Sequence, residues 1–140
     1  MSVVLDANAL VVLALDRRRA VAVETLLRTW KAEHRDLHAP ALLRYEIASA
    51  LTQAVAAGQL PLAEVAGAWE RITAVPVTLH HLENALSVVE VTQTLRRRSA
   101  YDAVYVALAQ ELGAQLWTLD GRLARNAQSR GLPVVLIETD

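Results

Sequence analysis

The chain has no cysteine, which excludes thiolate nucleophiles, disulfides and Cys-based zinc sites and suits a reducing compartment. Of its 14 basic residues only Lys31 is a lysine, so chemistry that needs a lysine late in the chain has no candidate. No apolar run approaches the roughly 20 residues of a membrane span. The N-terminus lacks the basic segment, apolar stretch and cleavage site of a secretory signal, so a soluble, cytoplasmic protein is expected. Excess charge is also missing: a net charge of −1 and a pI near 6.4 exclude a protein that grips nucleic acid by its overall field. Any such contact has to be local. Internal repeats, low-complexity tracts and a Gly-rich phosphate loop are absent. His34, His38, His80 and His81 have no metal-binding spacing and read as structural or surface residues.

What is present suffices for a single domain, residues 1–140, with a core that needs no staple. Hydrophobic residues make up 54% of the chain and mean hydropathy is +0.25, an excess that a partner could cover. Short β-branched or apolar runs at Val3–Leu5, Leu37–Ala39, Pro76–Leu79, Gln115–Leu119 and Val134–Ile137 predict strands. Between them lie helical patterns over Ala7–Leu15, Ala20–His34 and Ala41–Ala57, a further one opening at Leu60-Pro61, one running to about Leu95, one after Ser99, and one from Gly121 to about Gln128. Trp30 reads as core or partner surface. Asp16-Arg17-Arg18-Arg19 reads as a solvated turn with phosphate contact as the alternative, and Arg96-Arg97-Arg98 leads into the helix after Ser99. Alternating strands and helices predict an α/β fold with a mainly parallel central sheet of four to five strands and helices on both faces.

Four acids stand out from this pattern. Asp6 and Asp120 each end an apolar strand, at the edge where open α/β sheets bind ligands, yet each could simply cap the following helix. Glu46 interrupts the stripe of Leu43, Ile47, Ala50, Leu51 and Ala54, where an unpaired carboxylate is costly. An ion pair with an arginine is its plainer explanation. Asp102 falls in the first turn of a helix for which Ser99 is a good N-cap, a favourable place for an acid. It also shares a face with Val106, Ala109 and Gly113, which would flank it with packed residues. In a doubly wound sheet all four can converge at one edge. Carboxylates packed together cannot all ionise without a cation, and oxygen ligands select Mg²⁺, with Mn²⁺ as substitute. Such an ion, with neither a cysteine nucleophile nor a phosphate loop, suits hydrolysis of a phosphodiester by activated water. Asn8 and Thr118 lie two residues from Asp6 and Asp120, placed to orient them; a turn or strand role is the alternative.

Four blocks carry a family resemblance: Val4-Leu5-Asp6-Ala7-Asn8-Ala9-Leu10, Pro40-Ala41-Leu42-Leu43-Arg44-Tyr45-Glu46-Ile47 with Leu51, Ser99-Ala100-Tyr101-Asp102-Ala103-Val104-Tyr105-Val106-Ala107-Leu108-Ala109, and Thr118-Leu119-Asp120-Gly121-Arg122-Leu123. In this order they resemble the PIN-domain ribonucleases of the VapC toxin type over nearly the whole chain. The resemblance implies a PIN-like three-layer sandwich and a metal-dependent endoribonuclease. Its catalytic and metal-binding acids would be Asp6, Glu46, Asp102 and Asp120, and its substrate RNA (tRNA, rRNA or mRNA). It further implies a toxin neutralised by a cognate antitoxin, and a homodimer. Asn8 stands where the family often has Ser or Thr. Arg97 and Arg98, beside Asp102, are the candidates for RNA backbone contact. A phosphoacceptor receiver domain or a haloacid-dehalogenase-type phosphatase would need a late lysine, and the latter a second Asp at Asn8. The alternatives left are a non-catalytic RNA- or protein-binding module of the same fold and a housekeeping RNA-processing nuclease.

Overall fold

Val3, Val4 and Leu5 are wholly buried, as the middle strand of a sheet covered on both sides must be. The computed structural model describes residues 1–97 and 100–139. Its five strands are β1 (Ser2–Leu5), β2 (Asp36–Pro40), β3 (Thr78–His80), β4 (Gln115–Thr118) and β5 (Val134–Leu136). They form one sheet in the order β3-β2-β1-β4-β5, parallel throughout, with Val4 opposite His38 on one side and Leu116 on the other. The connections are α1 (Ala7–Leu15) and α2 (Arg17–Ala32), then α3 (Leu42–Ala56) with a 3₁₀ turn (Leu62–Glu64) and α4 (Val65–Thr73). After β3 come α5 (Ala85–Leu95) and α6 (Tyr101–Glu111), and between β4 and β5 runs α7 (Gly121–Ser129).

The chain steps outward from β1 to β3 and then crosses back to β4 on the far side of β1. With right-handed crossovers this reversal puts α1 to α4 on one face and α5 to α7 on the other. The packing agrees: α1 lies against α2, α3 and α4, whereas α6 lies across β1, β2 and β4 with α5 beside it. The result is a three-layer α/β sandwich. Its strand order reverses between β1 and β4, where ligands of open sheets collect.

Several element boundaries differ from the sequence reading, each for a local reason. Arg17–Arg19 form the first turn of α2 rather than a loop, because the Asp16 side chain accepts from Arg19 N and starts the helix early. The helix expected from Leu60-Pro61 is split into the 3₁₀ turn and α4. α5 starts only at Ala85, where Asn84 Oδ1 accepts from Ser87 N. The Ala100 backbone takes the N-cap place of α6, so Asp102 is its second residue rather than its third. Ser99, expected to cap it, lies outside the described residues, as does Arg98. Trp30 is core, its ring edge-on to Trp117 at 5.2 Å. His38 Nδ1 and His80 Nε2 share a hydrogen bond of 2.8 Å between β2 and β3, a structural use of both rings.

Candidate active site

Asp6 follows β1 directly, and its backbone N–H donates to Trp117 O at 3.1 Å, continuing the pairing one step past the strand. It occupies the N-cap position of α1, but its side chain makes no capping hydrogen bond. Instead Asp6 Oδ2 accepts from the Thr118 hydroxyl at 2.8 Å and from Asn8 Nδ2 at 3.4 Å. Capping therefore does not account for this carboxylate.

Thr118 is fully buried at the end of β4. While donating to Asp6, its hydroxyl oxygen accepts from Asp120 N at 3.0 Å and from Asn8 Nδ2 at 3.2 Å. Asn8 Oδ1 in turn accepts from Leu119 N at 3.1 Å. One hydroxyl and one amide thus tie the end of β1 to the end of β4. An amide, with a donor and an acceptor on separate atoms, serves both sides at once; this gives Asn8 a clear use in place of a hydroxyl residue. Asp120 does cap its helix, Oδ1 accepting from Leu123 N at 3.1 Å.

Glu46 projects from α3 beside the buried stripe of Leu43, Ile47, Leu51 and Ala54. Its partner is not an arginine: the Tyr105 hydroxyl donates to Glu46 Oε1 at 2.5 Å. Tyr105 stands on α6 three residues after Asp102, with only 2% of its surface exposed. The sequence pattern does not single it out. The available signal was a phenol in a helix otherwise apolar nearly all round, whose hydroxyl had to find a partner. Asp102 lies with Oδ2 3.8 Å from Arg97 Nη1, a partly exposed pair that adds little stability.

The acids feel one another. Burial pushes Asp6 from its ordinary 3.8 up to about 7, the Thr118 hydrogen bond opposing and the charges of Glu46 and Asp102 adding to the rise. Burial also raises Glu46, against the Tyr105 hydrogen bond and with help from Asp102. Asp102 is raised by burial, held back by the Arg97 guanidinium and raised further by Asp120. Tyr105 is pushed far up by burial, by its hydrogen bond to Glu46 and by the nearby negative charges. These couplings link Asp6, Glu46, Asp102 and Asp120 into one electrostatic unit. As the side chains stand, no group of three or more His, Asp or Glu among the described residues is arranged to hold a metal ion. The unit is joined by field and hydrogen bonds, not by a closed ligand cage.

A parallel sheet whose strand order reverses between β1 and β4, with Asp6 and Asp120 directly after those two strands, defines an open α/β protein with an acidic sheet edge. The PIN domain family model matches residues 3–128, a span that contains all four acids. A ribonuclease VapC3 of Mycobacterium tuberculosis is 41% identical over 125 residues, covering 88% of this chain and 85% of its own length. A ribonuclease VapC3 of Pyrobaculum aerophilum is 30% identical over 128 residues, covering 89% and 93%. Among solved structures, VapBC2 from Rickettsia felis, bound to a DNA fragment from its promoter, matches with a TM-score of 0.73 at 11% identity, covering 99% of this chain and 100% of that one. PAE2754 from Pyrobaculum aerophilum matches with a TM-score of 0.68 at 21% identity, covering 90% and 79%. At such identities these two structures speak to the fold alone. The chain belongs to the PIN-domain family, with VapC-type ribonucleases as its relatives there.

Proposed function

We propose that the chain is a divalent-metal-dependent endoribonuclease that hydrolyses RNA phosphodiester bonds, and that it serves as the toxin of a toxin–antitoxin pair. The observation that carries this reading is the coupling of four carboxylates at one sheet edge, with Asp6, Glu46 and Asp102 all raised by burial. Buried carboxylates packed together cannot all carry charge at neutral pH unless a cation compensates them. The donors are all oxygens, a set that fits Mg²⁺ or Mn²⁺. Asp6, Glu46, Asp102 and Asp120 would hold the ion, which would acidify water and neutralise charge on a phosphoryl oxygen. Thr118 and Asn8 fix the Asp6 carboxylate, and Arg97 and Arg98 lie next in sequence to α6 for contact with the RNA backbone. A cognate antitoxin and a second copy of the chain are its protein partners in this reading. Exposed Tyr45, Leu62, Leu82, Leu86 and Val89 are apolar surface that partners would cover. No helix among the described residues is long and apolar enough to cross a membrane, which suits cytoplasmic RNA as substrate.

The purified protein should cleave RNA with Mg²⁺ or Mn²⁺ and stop when a chelator is added. Asp6→Asn should abolish cleavage while the circular dichroism spectrum stays that of the wild type. Mn²⁺ should raise the melting temperature of the wild type and leave that of Asp6→Asn nearly unmoved. Cleavage that survives both the chelator and Asp6→Asn would overturn the assignment. RNA binding without cleavage in the wild type would favour a non-catalytic module.

A further inference from the structure

Glu46 and Asp102 reach the sheet edge from helices in opposite layers, and Tyr105 touches across that gap. Its ring is anchored in the core from α6, at 2% exposure, while its hydroxyl ends on Glu46 Oε1 from α3. Asp102 lies three residues earlier on the same helix, so one rigid turn of α6 carries both an acid and the donor that holds a second acid. Glu46 is half-buried and has no ion pair among the described residues. A long side chain so placed has several rotamers open to it, and a single hydrogen bond from an immobile phenol selects one. A phenol also donates without bringing charge, so it steers the carboxylate without competing for the site as an arginine would.

We propose that Tyr105 is a positioning residue that fixes Glu46 for divalent-cation binding, holding one oxygen so that the other is presented toward Asp6 and Asp102. This rests on the reading of Glu46 as one of the ion-holding acids. Tyr105 itself touches neither RNA nor the ion. Its counterpart is Thr118, at the end of β4, which does the same for Asp6.

Tyr105→Phe keeps the ring and removes only the hydroxyl. Mn²⁺ affinity, measured by calorimetry on the metal-free protein, should fall about 10- to 100-fold, the usual effect of losing a hydrogen bond to a metal ligand. kcat for RNA should fall with it, while KM stays near the wild-type value. In a Glu46→Gln background, the same substitution should change Mn²⁺ affinity less than twofold, because the residue it positions has lost its charge. Wild-type Mn²⁺ affinity in Tyr105→Phe, with only a lower melting temperature, would reduce the hydroxyl to a structural role and overturn the proposal. Failure of the wild-type protein to bind Mn²⁺ would instead strike the underlying reading of the acids. If Tyr105→Phe does not fold, the wild type carrying 3-fluorotyrosine reports on the same contact. Its Tyr105 fluorine resonance, assigned by elimination with Tyr45→Phe and Tyr101→Phe, should move as Mg²⁺ saturates. A resonance that stays still would overturn the proposal.

Discussion

A buried carboxylate that keeps its proton to about pH 7 makes stability depend on pH in the direction opposite to that of a salt-bridged acid. The folded pKa of Asp6 lies above its ordinary 3.8. Between those values the folded state binds the proton and the unfolded state does not. The stabilising contribution is therefore complete below pH 3.8 and is lost as pH rises through about 7. Without metal, the urea midpoint should fall from pH 5 to pH 8, by an amount on the order of a few kcal/mol in stability. Asp6→Asn should flatten that slope, and saturating Mn²⁺ should flatten it in the wild type. A slope that persists in Asp6→Asn would assign it to other groups. At this scale the sequence was legible where a residue broke a pattern: Glu46 interrupted a core stripe, and Asp6 ended an apolar run. It was silent on partners, which need the folded chain. Nothing in the spacing pairs Glu46 with a tyrosine 59 positions away, or shows that Asn8 bonds to Leu119 N as well as to Asp6.

Among the elements, α1 and α7 start from the same strand–acid–helix pattern and use the acid differently. Asp120 Oδ1 caps α7, whereas Asp6 leaves α1 without a side-chain cap. Asp120→Ala should cost about 1 kcal/mol through the lost cap. Asp120→Asn keeps an accepting oxygen and should cost far less, yet should impair Mn²⁺ binding comparably to Asp120→Ala. Thermal melts and calorimetry on the two variants separate the roles; equal stability loss in both would show that the cap is not what the carboxylate contributes. Element types were readable because apolar runs and helical stripes persist over whole segments, as in α3. Boundaries were not, because they turn on single hydrogen bonds. Asp16 capping Arg19 N recruits three arginines, good helix formers, into α2, and Asn84 delays α5 until Ala85.

For the molecule as a whole, a net charge of −1 and an acidic edge mean that the proposed RNA binding would fall to local cations, which would have to offset four carboxylates. Arg97 is the described arginine that pairs with one of these acids. Arg97→Ala should leave the melting temperature nearly unchanged, since the pair is partly exposed. It should also lower RNA affinity uniformly across sequences and reduce the salt slope by roughly 0.7 to 0.9 of a released ion. Unchanged affinity and slope, measured by fluorescence anisotropy against salt, would remove Arg97 from the RNA path.

The contact between Asp6 and Thr118 joins residues 112 positions apart, and β1 waits for β4 to fill one of its two sides. On the ribosome, the strand that carries Asp6 is made 112 residues ahead of the partner that fixes it. A nascent chain thus has Asp6 unaligned until β4 has left the exit tunnel. A chain truncated before β4 would carry three of the acids without the strand that aligns them. If the activity is the cleavage of RNA, the machinery making the protein is shielded from it by the order of synthesis alone.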